Sequence, residues 1–296
     1  MALDSAQLSA FAAVIDEGSF ERAAAVLHVT RSAVSQRVKL LEERVGQVLV
    51  RRATPCVPTE AGQALVRHAR AVALSEADAL GAIGGGQRPA TRLAIGVNAD
   101  SLATWFPAAM AGAAREGPGI TFDIHVEDQD HSANLLREGR VMAAVTADPQ
   151  PVQGCQVLPL GTLRYRALAS PAFLQRHFAA GVNAATLALA PMLVFNRKDG
   201  LQTRFVRRIT RRALTPPVHW LPEAHAFVTA TRAGLGWGMA PDLMVRGDLE
   251  AGTLVELIPA KPVDVPLYWQ SWRLDVQALN HMTGAVRHAA AQALLA

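Results

Sequence analysis

Residues 30 to 39 carry a row of polar side chains that could bind nucleic acid. The row consists of Thr30, Arg31, Ser32, Ser35, Gln36, Arg37 and Lys39. Arginine and glutamine can each make paired hydrogen bonds to base edges, while hydroxyl and lysine side chains are suited to phosphate oxygens. The segment therefore predicts a surface that reads duplex DNA.

Two helix patterns position this row. Ser19 is placed to cap the first helix and Thr30 the second, because hydroxyl residues favour the N-cap position. Apolar residues recur at helical spacing after each cap, at Ala23, Ala24 and Leu27 and then at Val34, Val38, Leu41 and Val45. The pattern predicts a helix-turn-helix, and the alternative is an ordinary helical hairpin with a solvated polar face.

A predicted wing follows in residues 48 to 62, VLVRRATPCVPTEAG. The segment begins as a buried strand, turns at Thr54 and ends at Thr59, which is placed to cap a further helix. Arg51 and Arg52 could contact phosphates or the minor groove, and the Thr59 hydroxyl with the free amides after it could hold a phosphate. The alternative for both arginines is simple solvation.

These segments resemble the N-terminal region of the LysR-type transcriptional regulators. The family pattern AAxxLxVTxSAVSxxxxxLE appears here as AAAVLHVTRSAVSQRVKLLE, and the PTxAG helix start appears as PTEAG. The resemblance implies a winged helix-turn-helix at the N-terminus of an otherwise α/β chain. It also implies binding to double-stranded promoter DNA, assembly as a homodimer or homotetramer, and contact with RNA polymerase.

Length and composition predict more than one domain, because 296 residues, of which 50% are hydrophobic and 18% charged, can bury large cores. The net charge is only +4, so electrostatics alone would not identify a DNA-binding protein. There is no leader pattern and no uninterrupted apolar run of about 18 residues. We therefore expect a cytoplasmic protein with no membrane partner.

Cysteine and histidine residues give little sign of metal chemistry. Cys56 and Cys155 form no CxxC motif, so neither a zinc cluster nor a disulfide framework is indicated. His125 and His131 flank acidic residues and could suggest a metal, but a solvated loop between strand and helix is the simpler interpretation. We expect neither a metal nor a cofactor.

An alanine-rich helix is predicted between residues 59 and 83. Its apolar residues approximate one continuous face, at Leu65, Ala69, Val72, Ala79, Leu80 and Ile83. This face either packs against its own head domain or, as the resemblance implies, pairs with the same helix of a second subunit. Pairing would place two recognition helices on successive faces of the duplex. Gly84 to Gly86 and Pro89 predict a hinge after the helix.

From Thr91 onward, strand-like and helix-like segments alternate, which predicts an α/β body. In open α/β sheets, ligands bind beyond the carboxyl ends of strands. The loop at residues 98–101, directly after the apolar strand LAIGV, is therefore a predicted ligand site. Ser101 is placed to cap a helix whose free amides would hold a carboxylate, and the alternative is a cap without a ligand.

Carboxylates gather at the ends of two predicted strands. Asp100 follows the first strand, and Glu127, Asp128 and Asp130 follow the second. Carboxylates that face one cleft repel one another, and an ammonium or guanidinium group would relieve that repulsion. The pattern favours a cationic ligand, although individual members of the group could instead point to solvent.

A narrower resemblance covers essentially the whole chain. The segments VNADSLATWFPAAMA, VEDQD, EAHAFVTATRAGLGWGMAP and LYW are similar to the lysine and arginine exporter regulators, the ArgP/LysG subgroup of the family. The resemblance implies a two-lobed, periplasmic-binding-protein-like domain that senses lysine, arginine or histidine and activates an exporter gene. Carried over by motif, the effector-binding residues are Asn98, Asp100, Ser101, Glu127 and Asp128 from the first lobe and Phe195 and Glu223 from the second.

The predicted domain boundaries follow from these segments. Residues 1–58 form the winged helix-turn-helix, residues 59–90 the linker helix and hinge, and residues 91–296 the effector-binding domain. Within that domain, the first lobe comprises residues 91–163 and 267–296, and the second lobe comprises residues 164–266. The predicted fold class is α/β with an N-terminal winged helix-turn-helix, a linker helix and a two-lobed effector domain.

Residues 203–213, TRFVRRITRRA, depart from the subgroup pattern because they place five arginines on one predicted helix. The simplest interpretation is a solvated face, and the alternative is an auxiliary DNA contact. An effector-independent architectural or replication-origin DNA-binding protein is an alternative function, although it gives the acidic cleft no purpose. An enzyme is disfavoured, because the sequence lacks a GxSxG elbow, a Walker A loop, an HExxH pair and a Rossmann glycine fingerprint.

Overall fold

A computed structural model describes residues 3–83, 90–128 and 132–296. Within them, the N-terminal head and the α/β body each have their own hydrophobic core. The hinge predicted at Gly84 to Gly86 and Pro89 lies outside the described residues, as do Asp130 and His131. No helix in the described segments combines the length and apolar character needed to cross a membrane.

The head begins with three helices, α1 (Ser5–Glu17), α2 (Phe20–Val26) and α3 (Arg31–Val45). The Ser19 hydroxyl accepts hydrogen bonds from the first amides of α2, and Thr30 Oγ1 accepts one from the Ala33 amide at 3.2 Å. Both predicted caps are therefore confirmed. The inner sides of the helices meet in a core that includes Phe11, Ala23, Val34, Val38 and Leu41.

Two short antiparallel strands, β1 (Val50–Arg51) and β2 (Val57–Pro58), form the predicted wing. Glu42 of α3 holds the wing in place, because its Oε1 accepts hydrogen bonds from the amides of Leu49 and Val50 at 2.8 and 3.2 Å. The carboxylate thus satisfies two backbone N–H donors at the start of the wing.

The linker helix α4 (Glu60–Ile83) begins after Thr59, whose Oγ1 accepts a hydrogen bond from the Gly62 amide at 3.1 Å. Thr59 therefore caps α4, as the sequence predicts. Gly62 is required at this start, because a Cβ atom there would lie 2.2 Å from the Leu49 carbonyl oxygen. The PTEAG segment thus encodes both the cap and the close approach of α4 to the wing.

The apolar face of α4 is divided between different surroundings. Leu65, Ala69 and Val72 pack against the core of the head, whereas Leu80 and Ile83 are 64% and 80% exposed. Within one chain, the head therefore covers only the part of the predicted apolar face near Leu65, Ala69 and Val72, and what covers the rest stays a prediction. The helix has 24 residues and is about 36 Å long; its apolar contacts with the core of the head end at Val72, and Leu74 belongs to the core of the body.

Polar contacts join α4 to both parts of the chain. Arg70 bonds to Asp16 of α1 and to the carbonyl oxygen of Gly139 in the body. Arg67 Nη1 donates to the Gln153 carbonyl oxygen at 2.6 Å. Together these arginines connect the head, the linker helix and the body within one chain.

The body is built on a seven-stranded mixed sheet in the order β10-β6-β11-β5-β3-β4, with β9 also paired to β6. The strands are β3 (Thr91–Val97), β4 (Ile120–Val126), β5 (Ala143–Thr146), β6 (Cys155–Ala169), β9 (Gly238–Pro241), β10 (Val255–Glu256) and β11 (Val263–Trp272). β3 is parallel to β4 and β5, whereas β6 and β11 run antiparallel to each other. A separate parallel pair consists of β7 (Met192–Val194) and β8 (Val218–Trp220).

Nine helices of the described residues complete the body. They are α5 (Ala99–Ala103), α6 (Phe106–Glu116), α7 (Ser132–Arg137), α8 (Pro171–Phe178), α9 (Ala184–Leu189), α10 (Leu201–Thr210), α11 (Ala224–Arg232), α12 (Asp242–Ala251) and α13 (Gln277–Ala293). The predicted fold class is confirmed. The predicted lobe boundaries at 163/164 and 266/267 fall inside β6 and β11, so these two strands continue from one lobe into the other.

The helix after β3 differs from the prediction. Asn98 occupies the N-cap position of α5, and Ser101 lies inside the helix. Trp105 separates α5 from α6, whose first turn contains a proline. The prediction that Ser101 caps this helix is therefore wrong, because the helix begins directly where the strand ends.

Candidate effector cleft and DNA interface

A cleft of about 690 Å³, its open mouth included, lies at the carboxyl ends of β3 and β4. Because these strands are parallel, their ends meet at one edge of the sheet, where α/β proteins commonly bind ligands. The other wall comes from the second lobe. The lining residues are Asn98, Ala99, Asp100, Val126, Glu127, Asp128, Phe195, Asn196, Asp199, Leu201, Ala224, Phe227, Val228, Met239, Ala240 and Pro241.

Five of the residues predicted to bind an effector line this cleft together: Asn98, Asp100, Glu127, Asp128 and Phe195. The other two, Ser101 and Glu223, are not among the lining residues. Ser101 is completely buried in α5, and the Glu223 carboxylate accepts hydrogen bonds from the amides of His225 and Ala226. These bonds lower the pKa of Glu223 and make it the cap of α11.

Asn98 presents an unsatisfied amide at the wall of the cleft. The residue is only 2% exposed, and neither its Nδ2 nor its Oδ1 has a hydrogen-bond partner among the described residues. A buried polar group without a partner is costly, because folding removes its bonds to water. An amide can donate to a carboxylate and accept from an ammonium, which are the two groups common to every amino acid.

Asp100 is an acid of the cleft whose pKa is raised. Its Oδ2 accepts a hydrogen bond from the Tyr165 hydroxyl at 2.7 Å. The pKa of Asp100 is raised from 3.8 to about 6: burial is the main cause, the hydrogen bond from Tyr165 opposes it, and the charges of Asp199 and Asp128 add to the increase. Burial and the same acids also raise the pKa of Tyr165 well above its usual value. A cation placed near Asp100 would favour the ionised carboxylate.

An ion pair connects the two lobes at this cleft. Lys198 Nζ, in the loop before α10, lies 2.8 Å from Glu127 Oε1, which follows β4. The same carboxylate oxygen accepts a hydrogen bond from the Asp128 amide at 3.0 Å. Glu127 therefore already has a cationic partner within the protein.

Sequence reasoning missed three polar residues of this region: Tyr165, Lys198 and Asp199. The Asp199 carboxylate lines the cleft and accepts hydrogen bonds from the amides of Phe195 and Leu201 at 3.1 and 2.9 Å. An aspartate and a glycine before a helix pattern are a readable turn signal. Tyr165 had no such signal, because it lies within a strand, 65 positions from its partner Asp100.

Apolar side chains form the wall contributed mainly by the second lobe. Phe195, Leu201, Phe227, Val228 and Met239 line the cleft beside the acidic residues. An aliphatic chain with a charged end can bury its methylene groups on such a wall while its cation meets a carboxylate. The arrangement is therefore suited to a small molecule that is apolar along its length and cationic at its ends.

In the head, α3 presents one fully exposed polar face. Ser32, Gln36 and Lys39 are exposed and lie at helical spacing, so they share this face. Arg31 is also exposed and lies 3.6 Å from Glu21, whereas Ser35 is half-buried. Arg37 is half-buried beside a groove lined by residues of α1 and α4, so it lies on a different side of the helix from Gln36.

The wing presents Arg51, Arg52 and Thr54 to solvent. The guanidinium of Arg52 lies 4.9 Å from the centre of the Phe20 ring, which orients it beside the start of α2. Thr59 is half-buried, and its hydroxyl donates to the Val48 carbonyl oxygen at 2.7 Å. That proton is therefore not available to a phosphate in this arrangement.

Metal-binding side chains are not clustered within the described segments, where no group of three or more His, Cys, Asp or Glu residues could hold an ion. His125 Nε2 instead lies 3.3 Å from Asp123 Oδ2. Cys56 and Cys155 are both buried free thiols.

Comparison with known families covers both parts of the chain. Residues 5–63 match the family described as bacterial regulatory helix-turn-helix protein, lysR family, and residues 86–291 match the LysR substrate binding domain. The chain is 42% identical over 289 residues to the lysine export transcriptional regulatory protein LysG of Corynebacterium glutamicum, covering 97% of this chain and 98% of that protein.

Two solved structures extend the similarity to three dimensions. The crystal structure of ArgP from Mycobacterium tuberculosis is 49% identical, covers 99% of both chains and has a TM-score of 0.88. Full-length LysG from Corynebacterium glutamicum, solved with bound effector Arg, is 40% identical with a TM-score of 0.79, covering 99% of this chain and 100% of that one. These relatives are regulators and not enzymes. The chain therefore belongs to the LysR family of DNA-binding transcriptional regulators, within its LysG/ArgP subgroup.

Proposed function

We propose that the chain senses a basic amino acid in the interlobe cleft and, when the cleft is occupied, activates an amino-acid exporter gene. The observation that carries this proposal is the combination, in one cleft, of the unsatisfied Asn98 amide, an excess of carboxylates and an apolar wall. The similarity to a LysG solved with arginine and to a regulator of lysine export supports the same assignment.

The charges of the cleft suit lysine or arginine better than a neutral amino acid. Four carboxylates, Asp100, Glu127, Asp128 and Asp199, line it, and Lys198 pairs with one of them. Lysine and arginine each bring two cationic groups and one carboxylate. In this proposal the Asn98 amide contacts the α-amino and α-carboxyl groups, and the remaining acids hold the side-chain cation.

Calorimetry with the twenty amino acids tests the ligand class. We expect heat from lysine or arginine, with histidine weaker, and little from neutral or acidic amino acids. Comparing lysine with norleucine, which lacks only the terminal ammonium, isolates the contribution of that charge. If none of the twenty amino acids gave a binding heat, the alternative of an effector-independent DNA-binding protein would be favoured.

Amide variants of the cleft acids locate the cation. Asp128→Asn and Asp199→Asn keep the size and much of the hydrogen bonding of each side chain but remove its charge. The variant that removes the cation's partner should reduce the ratio of lysine to norleucine affinity by on the order of tenfold. Glu223→Gln, which lies outside the cleft lining, is the matched control. If Asp128→Asn, Asp199→Asn and Asp100→Asn all leave the ratio intact, the proposed ligand class is wrong.

The same proposal includes assembly on promoter DNA in the cytoplasm as a homodimer or homotetramer that contacts RNA polymerase. The exposed end of α4, with Leu80 and Ile83, is the apolar surface available for pairing with a second copy. The double variant Leu80→Glu, Ile83→Glu should halve the mass in sedimentation, because carboxylates would face each other across the pair. Ser75→Glu, at an exposed site of the same helix, should leave the mass unchanged.

Reconstituted transcription from an exporter promoter with RNA polymerase tests the regulatory part. We expect lysine or arginine to increase transcript in the presence of this protein and to have no effect without it. Repression by the bound amino acid would retain the sensor but overturn the assignment as an activator.

A further inference from the structure

Helix α10 carries Arg204, Arg207 and Arg208 on one side and apolar residues on the other, and Arg211 and Arg212 follow directly after its last residue. Leu201, Phe205 and Val206 are buried in the second lobe. Arg204, Arg207 and Arg208 are three or four residues from one another or adjacent, so they share one side of the helix. Arg211 and Arg212 follow the helix end, and all five arginines are exposed. We call Arg204, Arg207, Arg208, Arg211 and Arg212 the arginine face.

The arginine face makes no short ion pair among the described residues, in contrast to other arginines of the same lobe. Arg208 is still near enough to Asp264 for its charge to help lower the pKa of that carboxylate. Arg164 and Arg232 each make two hydrogen bonds to an aspartate, and Arg166 bonds to both Asp242 and Glu256. Among the described residues, no carboxylate is recorded within the 4.0 Å ion-pair distance of any member of the arginine face. Arg208 makes one bond, to the Pro262 carbonyl oxygen at 2.7 Å.

The end of α10 keeps an arginine where the backbone favours glycine. Arg211 is the C-cap residue of the helix and has a φ of 57°, in the left-handed region. Residues with a Cβ atom adopt this conformation at an energetic cost, and glycine or asparagine usually occupies it. The chain therefore places a positive charge at a backbone position that glycine or asparagine usually occupies.

We propose that the arginine face binds the phosphate backbone of the DNA that is already held by the helix-turn-helix. Guanidinium groups match phosphate oxygens through paired hydrogen bonds, and unpaired arginines lose no protein ion pair when they bind. The head keeps DNA at a high local concentration around the second lobe, so a weak contact there still contributes to binding. This contact is sequence-independent and lies outside the winged helix-turn-helix.

The dimensions of the arginine face fit a small number of phosphates. Arg204 and Arg211 are seven residues apart, about 10 Å along a helix. The major groove of B-DNA is about 12 Å wide. We therefore expect the face to contact about two phosphates, on one strand or across a groove edge.

The salt dependence of binding to a long mixed-sequence duplex tests the proposal. A plot of log affinity against log salt has a negative slope, and the loss of one phosphate contact reduces the magnitude of that slope by about 0.9. The triple variant Arg204→Gln, Arg207→Gln, Arg211→Gln of the full chain should therefore reduce the slope by about two. The corresponding lysine triple variant should retain most of the slope, and Arg207→Gln alone should reduce it by about one.

A second triple variant, Arg115→Gln, Arg176→Gln, Arg287→Gln, removes the same charge from exposed sites outside α10 and should leave the slope nearly unchanged. An equal reduction in both triple variants would mean that net charge alone acts, and would overturn the proposal. An unchanged slope in the α10 variant would also overturn it. If that variant binds DNA normally but fails in transcription with RNA polymerase, the arginine face contacts an acidic protein instead.

Discussion

The DNA-binding head and the interlobe cleft are assembled in different ways. The DNA-binding residues predicted for the head come from positions 30 to 59, a continuous stretch that forms one helix and one wing. The cleft takes its lining from five separate segments between Asn98 and Pro241, and two of its neighbouring acids, Asp100 and Asp199, are 99 positions apart. A continuous site can be read from local spacing, whereas a discontinuous site depends on how the sheet folds.

The two regions also differ in how their polar groups meet solvent. Ser32, Gln36 and Lys39 are exposed and remain hydrated until DNA replaces the water. Asn98 is buried and Asp100 is half-buried in the protein itself, which leaves the Asn98 amide unsatisfied and raises the pKa of Asp100. Changes in the head should therefore alter DNA binding with little effect on folding, whereas changes in the body should affect folding and effector binding together.

The largest expected effect tests whether the two regions fold separately. Trp269 is completely buried in the body, where its Nε1 donates to Thr283 Oγ1 at 3.1 Å. Trp269→Ala should lower the free energy of unfolding of the body by about 3–5 kcal/mol. Hydrogen exchange of the α1 to α3 amides should change little, and Trp220→Ala, at a 48% exposed site, should leave both regions intact. Equal loss of protection in the head would show that Arg70 and α4 couple the two regions.

The next effect uses the raised pKa of Asp100. A bound cation favours the ionised carboxylate, so affinity for lysine should rise as pH increases through about 6, by up to about tenfold per pH unit, and then level off. Asp100→Asn cannot ionise and should remove this rise. The measurement is calorimetry with lysine between about pH 5 and about pH 8. Glu223→Gln should keep the wild-type profile, and an unchanged profile in Asp100→Asn would place the titrating group elsewhere.

A smaller effect distinguishes base contacts from phosphate contacts in the head. Gln36→Ala should reduce discrimination between DNA sequences by about 1–3 kcal/mol, because its amide can make paired bonds to adenine. Arg52→Ala should weaken binding to all sequences alike and lower the salt slope by about one. Competition between specific and mixed-sequence duplexes measures both. A loss of sequence preference in Arg52→Ala, with its slope intact, would reverse the two assignments.

The smallest expected effect concerns the cap of the recognition helix. Thr30→Ala removes the hydrogen bond to the Ala33 amide and should destabilise the head by about 1 kcal/mol. Thr30→Ser keeps the cap and should be nearly neutral. Thermal unfolding of the head, followed by its amide signals, measures the difference. Equal stability of the alanine and serine variants would mean that the cap contributes little to α3.

The structure of the head follows from local sequence signals. Caps at Ser19 and Thr30, the apolar spacing inside α3 and the PTEAG start of α4 are interactions between residues a few positions apart, so the structure reproduces them. The same local logic found Asn98, Asp100, Glu127 and Asp128, because parallel strands bring their ends to one edge. It failed at Ser101, where it placed the start of the helix too late.

The rest of the cleft and the surroundings of the α4 apolar residues depend on long-range packing. Tyr165 reaches Asp100, and Lys198 reaches Glu127, because β6 and the second lobe fold over the strand ends, and no local spacing encodes such distances. The apolar residues of α4 carry one continuous pattern in sequence. Packing divides them, because the head covers Leu65, Ala69 and Val72, the body covers Leu74, and Leu80 and Ile83 stay exposed. Periodicity specifies which side of a helix is apolar, whereas the shapes of the neighbouring domains decide how much of that side is buried.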